Sequence, residues 1–260
     1  KGIWTMLFSK RKVFGPLFLG SMFLGLILVL SAAGAAQAAP KKTKAFNVPS
    51  VDALVDYFDE IVFGSDVDPK YKLKVITKWT EKLKISIRGK PSKAVIKALQ
   101  KHIKAILPLA NIGAKTVKKG ANFQITFIPK GGKINLGKKS ITVTGPGCSF
   151  FSQSKEGKIY LTQIIVNNIG GDNQISHCLL EEVTQSLGLP NDSDKLRPSV
   201  FSEKDKLQTL TLPDKILLST LYHPRMMPGM KRKQALLVAR DIIGDYRKGM
   251  VLMVQSIKGR

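Results

Sequence analysis

Asp172-Asn-Gln-Ile-Ser-His-Cys-Leu-Leu-Glu-Glu-Val-Thr-Gln-Ser-Leu-Gly-Leu-Pro-Asn-Asp-Ser-Asp194 is the stretch on which the reading of this 260-residue chain turns. On a helix, His177, Glu181 and Gln185 fall one turn apart on one face. Ile175, Leu179, Leu180, Val183 and Leu187 form the apolar side. Gly188 is the stop, and Asn191, Asp192 and Asp194 follow in a loop. The adjacent Glu181-Glu182 is costly to bury unless the pair is hydrogen-bonded, ion-paired or bound to a cation. The plainer alternative is an ordinary amphipathic helix with a solvated polar face.

Outward from this helix, the apolar spacing predicts the other elements. Val51, Leu54, Val55, Phe58 and Val62 recur at helical period behind Ser50. Lys72 to Trp79 and Leu83 to Arg88 alternate like strands. Ser92 caps a helix to about Leu107, with Val95, Ile96, Leu99, Ile103 and Ile106 inward and Lys93, Lys97, Lys101 and Lys104 outward. Asn122 to Ile128, Ser140 to Thr144 and Lys158 to Val166 read as strands. Thr211 to Asp214 is a capping box for a helix to Leu221. A last helix is predicted over Arg232 to Tyr246. The expected class is α+β, with one mixed sheet in a single domain of two lobes.

The N-terminus reads as an export signal. Lys10, Arg11 and Lys12 are basic, Phe18 to Leu30 is apolar, and Ala36-Gln37-Ala38 fits an A-x-A cleavage site. The alternative is an uncleaved inner-membrane anchor, since Val13 to Ala39 carries no charge. The expected location is periplasmic or secreted, with membrane contact only through this signal or anchor. In an oxidising compartment Cys148 and Cys178 are expected to pair; two separately buried thiols are the alternative. The expected boundaries are 1–38 signal peptide, 39–45 linker, 46–250 single domain (lobes about 46–189 and 190–250) and 251–260 tail.

Composition excludes several classes. Two Cys cannot supply a Cys₄ zinc site, and two Cys with three His offer no Cys₂His₂ site of ordinary spacing. No P-loop, G-x-S-x-G elbow or dinucleotide fingerprint is present. Net charge is +24, concentrated early: residues 41–150 carry 22 basic against 7 acidic side chains, residues 151–260 carry 16 against 11. That field favours an anionic envelope component as partner, such as lipid head groups or acidic glycans. Aromatic residues do not interleave with the lysines, so no specific nucleic-acid motif is visible. A lysine-covered soluble surface is the plainer alternative.

The Asp172–Asp194 stretch resembles the zincin metallopeptidase motif H-E-x-x-H-x-x-G-x-x-H/D, with Glu181, Glu182, Gln185, Gly188 and Asn191 at the five positions. It is more closely similar to an exported proteobacterial family, domain of unknown function 2927. The pattern C-[apolar]₂-E-E-x-T-Q-x-L-G-L-x-N-D is carried by Cys178, Glu181, Glu182, Thr184, Gln185, Leu187, Gly188, Leu189, Asn191 and Asp192. Pro198 to Phe201, Leu210 to Asp214 and Leu221 to Met230 match as well. The resemblance implies a zincin-like fold, with helices and mixed sheet in the N-terminal lobe and a mostly helical C-terminal lobe. It implies no established activity.

Both zinc-binding histidines of the motif are replaced here, so an ordinary zinc site is not supported. Glu182, at the general-base position, is the candidate catalytic residue. Glu181, Gln185, Asn191 and Asp192 are candidate ligands for a divalent cation, their hard oxygens suiting Ca²⁺, Mg²⁺ or Mn²⁺. His177 is a weaker ligand candidate. Tyr222 and His223 are candidate oxyanion helpers. The expected function is binding or scaffolding by a non-canonical or inactive metallopeptidase relative. The rivals are a metal-dependent hydrolase using Glu182, and a cationic binder of an envelope polyanion.

Overall fold

Ser50 starts the first helix: its hydroxyl accepts the Ala53 N–H at 3.1 Å, and α1 runs over Val51–Phe63. The structure, a computed structural model, describes residues 48–64, 72–136 and 139–258. The expected signal peptide (1–38) and linker (39–45) lie outside the described residues.

The sheet follows from alternation. In β4 (Phe123–Ile128), Phe123, Ile125 and Phe127 are buried and their neighbours half-buried. The main sheet has the order β1-β8-β4-β2-β3, all parallel, with β1 at Lys78–Trp79, β2 at Leu83–Arg88, β3 at Ala114–Thr116 and β8 at Lys158–Asn167. β8 is its spine. One side takes β4, from Phe123 opposite Thr162 to Ile128 opposite Asn167. The other side takes β7 (Gly147–Lys155), which runs antiparallel. β5 (Lys133–Leu136) and β6 (Lys139–Thr142) form a separate hairpin. The sheet is thus mixed, as expected.

Several boundaries differ from the sequence reading. The strand expected from Lys72 narrows to Lys78–Trp79. The residues before it bond instead to the chain near Met230: Ile76 N–H donates to the Met230 carbonyl and Gly229 N–H to the Ile76 carbonyl, both at 2.8 Å. β3 escapes the pattern because all three of its residues are exposed. β7 escapes it because its inward face is Cys148, Phe150 and Ser152, of which only Phe150 is strongly apolar. Ser152 finds its partner in the Thr162 hydroxyl at 2.7 Å.

The helices match more closely. α2 (Lys93–Ala110) passes through Pro108 and ends at Asn111, in the left-handed region with φ 50°. α3 spans Asp172–Gln185. α4 (Leu212–Tyr222) begins with the expected box, Thr211 and Asp214 bonding each other's backbone N–H. α5 runs over Arg232–Lys258, beyond the predicted end at Tyr246. One continuous core joins residues of all five helices and the sheet.

Two constraints fix α3. Cys148 of β7 and Cys178 of α3 form the expected disulfide, Cα to Cα 6.0 Å. At its C-terminal end Gly188 has φ +111°, and a Cβ there would stand 2.1 Å from the Thr77 carbonyl oxygen. Gly188→Ala is therefore expected to cost about 2–4 kcal/mol and lower Tm by roughly 5–15 °C, read by thermal unfolding. Cys148→Ser with Cys178→Ser is expected to lose about 3–4 kcal/mol, by the loop-closure model, in urea unfolding.

Candidate functional site

The polar face of α3 is inside the molecule. His177 and Glu181 are 1% exposed, Glu182 is 2% and Gln185 is 0%. The solvated-face alternative for this helix is thereby excluded. Its sequence allows this because α2 packs on one side, β7 and β8 on another, and the chain after Gly188 folds back over the end.

His177 is held from two sides. Its Nδ1 lies 2.9 Å from the Leu207 carbonyl, which can only accept, so Nδ1 carries a proton. Its Nε2 faces the Glu181 carboxyl at 3.6 Å. One further proton shared between Nε2 and that carboxyl makes the contact attractive, as an ion pair or as a neutral acid beside a neutral ring. Either way, the i, i+4 pair uses the imidazole internally.

Gln185 donates from Nε2 to Asp192 Oδ1 at 2.5 Å, so the helix and the following loop are joined by two of the candidate ligands. Asn191 turns away, its Nδ2 donating to the Glu60 carbonyl of α1 and to the Asp192 carbonyl, both at 3.1 Å. Both amide oxygens, Gln185 Oε1 and Asn191 Oδ1, are buried and accept no hydrogen bond among the described residues. The space at Gln185 is a cavity of about 10 Å³ bounded by Thr77, Ser152, Ser154, Ser186 and Gly188. It is large enough for one water at most.

Zinc does not fit this donor set. The positions one turn apart carry Glu181 and Gln185, and the nearest imidazole, His177, is engaged by Leu207 and Glu181. Among the described residues no group of three or more His, Cys, Asp or Glu is placed to hold a metal ion.

Tyr222 and His223 sit at the end of α4. The Tyr222 hydroxyl donates to the Leu187 carbonyl at 2.7 Å and accepts the Trp79 N–H at 3.1 Å, and burial pushes its pKa up. The His223 Nδ1 accepts the Arg225 N–H at 3.2 Å. Burial, then the Arg225 charge, push its pKa down.

Three groups escaped the sequence reading. Lys78 is buried, its ammonium donating to the Leu221 carbonyl at 3.0 Å and lying 5.3 Å from the Tyr222 ring centre. Burial lowers its pKa to about 8. Trp79 donates its indole N–H to the Ser186 carbonyl at 3.1 Å. Asp214, beyond its cap, ends a buried chain: Tyr57 donates to Ser199 at 2.7 Å and Ser199 to Asp214 at 2.6 Å. Burial raises its pKa. His102 is buried on α2 against Ser176 of α3 at 3.0 Å. No sequence pattern flags Lys78, because a lone Lys in a two-residue strand looks like surface.

A roomier open groove of about 420 Å³ lies beside α1, lined by Asp56, Asp59, Glu60, Lys72, Lys195 and Arg232 among others. Four of its charged residues are paired: Arg232 grips Asp59 at 2.6 and 2.5 Å, and Lys195 pairs with Glu60.

Comparison with known proteins gives three findings. A family model described as "Protein of unknown function (DUF2927)" matches residues 52–241. No curated protein matches the chain. Among solved structures, one described as "Structure of Myroilysin" is similar over 68% of this chain and 98% of that one, at 13% identity and a TM-score of 0.38. A likeness that loose carries no argument about chemistry.

The Lys78 environment sets a pH dependence. Its folded pKa lies below the unfolded value of 10.5, so the unfolded chain binds more protons between about pH 8 and 10.5. Stability therefore gains from this residue as pH rises through that window. The urea midpoint of the protein relative to Lys78→Met is expected to rise between pH 8 and 10.5; a flat difference would refute the assignment.

Proposed function

We propose, from the premise that this chain belongs to the DUF2927 family of proteins of unknown function, that it is an exported, zincin-shaped scaffold that binds a partner without hydrolysing one. The observation that carries this reading is the burial of Glu181, Glu182 and Gln185 on α3. A general base works within about 2.6–3.2 Å of the proton it removes, directly or through one water. Glu182 is 2% exposed, too deep for a substrate peptide to reach it without movement of the residues that cover it. In this reading the degenerate helix is a strut between an N-terminal lobe (about 46–189) and a C-terminal lobe (about 190–250). Export rests on the N-terminal sequence, and the Cys148–Cys178 disulfide supports it, since such bonds persist in oxidising compartments.

One observation favours a second reading, in which the same helix end holds a hard cation. Gln185 Oε1 and Asn191 Oδ1 are buried acceptors with no donor among the described residues, while each amide nitrogen is engaged. Amide and carboxylate oxygens are the donors that Ca²⁺ and Mg²⁺ prefer.

Elemental analysis of protein purified without chelators, with a peptide-hydrolysis assay on wild type and Glu182→Gln, decides among these. The scaffold reading expects no stoichiometric metal and no hydrolysis that depends on Glu182. Stoichiometric calcium or magnesium, lost in Gln185→Ala, would establish the cation reading. Hydrolysis abolished in Glu182→Gln would overturn both in favour of an enzyme.

A further inference from the structure

Between Glu81 and Glu156 the chain contains 16 Lys or Arg and no acidic residue. This run builds β2, α2, β3, β4, the β5–β6 hairpin and β7. Every ion pair found among the described residues lies outside it, with partners such as Arg232 and Asp59, Arg197 and Asp205, or Lys204 and Asp194. Charge is therefore segregated: the described ion pairs all lie outside this run, which has 16 basic and no acidic side chains.

Within that part the fold brings like charges together. Lys84 of β2 and Lys115 of β3 are directly opposite in the parallel register, and both are exposed. Adjacent strands are about 4.8 Å apart, and like charges facing across them are unfavourable unless something neutralises them. The Lys82 stem lies against Gly113 at the start of the same pairing, where an added Cβ would be 3.3 Å from it. Lys118 and Lys119 follow in the exposed turn after β3.

We propose that the β2–β3 edge, centred on Lys84 and Lys115 with Lys82, Lys118 and Lys119 beside them in the chain, binds an acidic polysaccharide. Charge complementarity sets the class as polyanion. Three features select a glycan chain. The run has no exposed aromatic ring for stacking bases: Phe123, Phe127 and Phe150 are in the core and Phe151 is half-buried. Among the described side chains of the run no large apolar one is exposed to enter a bilayer; Tyr160, Met227 and Leu237, which are exposed, lie outside it. Its cations are lysines save Arg88, point charges that suit a flexible chain of spaced carboxylates and make no bidentate fork on phosphate. The proposal stands independently of what α3 does.

The test measures binding of the full protein to polygalacturonate from 50 to 500 mM NaCl, with dextran, oligothymidylate and phosphatidylglycerol vesicles as competitors. Wild type is expected to bind polygalacturonate with an affinity that falls linearly in log salt, while dextran does not compete. Lys84→Gln with Lys115→Gln is expected to weaken binding about tenfold or more. Lys206→Gln with Lys233→Gln, an equal change in net charge on exposed residues elsewhere, is expected to stay within about twofold. Thermal unfolding checks that both variants remain folded. No binding at 50 mM NaCl, an equal loss in both double variants, or stronger competition by oligothymidylate or vesicles would overturn the proposal.

Discussion

The end of α3 is where the chain is most constrained. The indole of Trp79 closes on the Ser186 carbonyl, the Tyr222 hydroxyl closes on the Leu187 carbonyl, and Gly188 passes under the Thr77 carbonyl with no room for a side chain. The two carbonyls that follow the helix's last residue are thus satisfied by residues far away in sequence. Sheet, helix and C-terminal region meet at this point, and the depth of the Glu181–Gln185 face follows from it.

That depth changes the chemistry the helix can do. A carboxylate at a solvent-facing cleft is a base; the same carboxylate inside a packed interior is a group that must be neutralised or paired. His177 and Glu181 solve the problem with each other and with Leu207. Gln185 and Asp192 solve it across the turn. Glu181, Gln185 and Asn191 thus each contact a neighbouring side chain or loop.

Much of this was legible in the sequence where side chains repeat with a period. Ser50, Ser92 and the Thr211–Asp214 box start three helices at the expected places, because a cap is a local interaction. The α3 helix and its Gly188 stop were legible for the same reason. β3 and β7 were not, since one is wholly exposed and the other hides two small or polar residues inward. The burial of the α3 polar face was not legible either. It depends on what packs over the helix, and Leu207, Ser176's partner Gln208, and Trp79 reach it from other parts of the chain. Lys78 looks like a surface residue until the end of α4 is placed over it.

The cross-link between β7 and α3 has a consequence for local motion. Its ends are 30 residues apart, and β8 lies between them in sequence. The edge strand cannot peel away without drawing on the helix, and the helix cannot open without drawing on the spine of the sheet. Amides of β7, β8 and α3 then exchange with solvent as one cooperative unit, and reduction of the disulfide divides that unit in two.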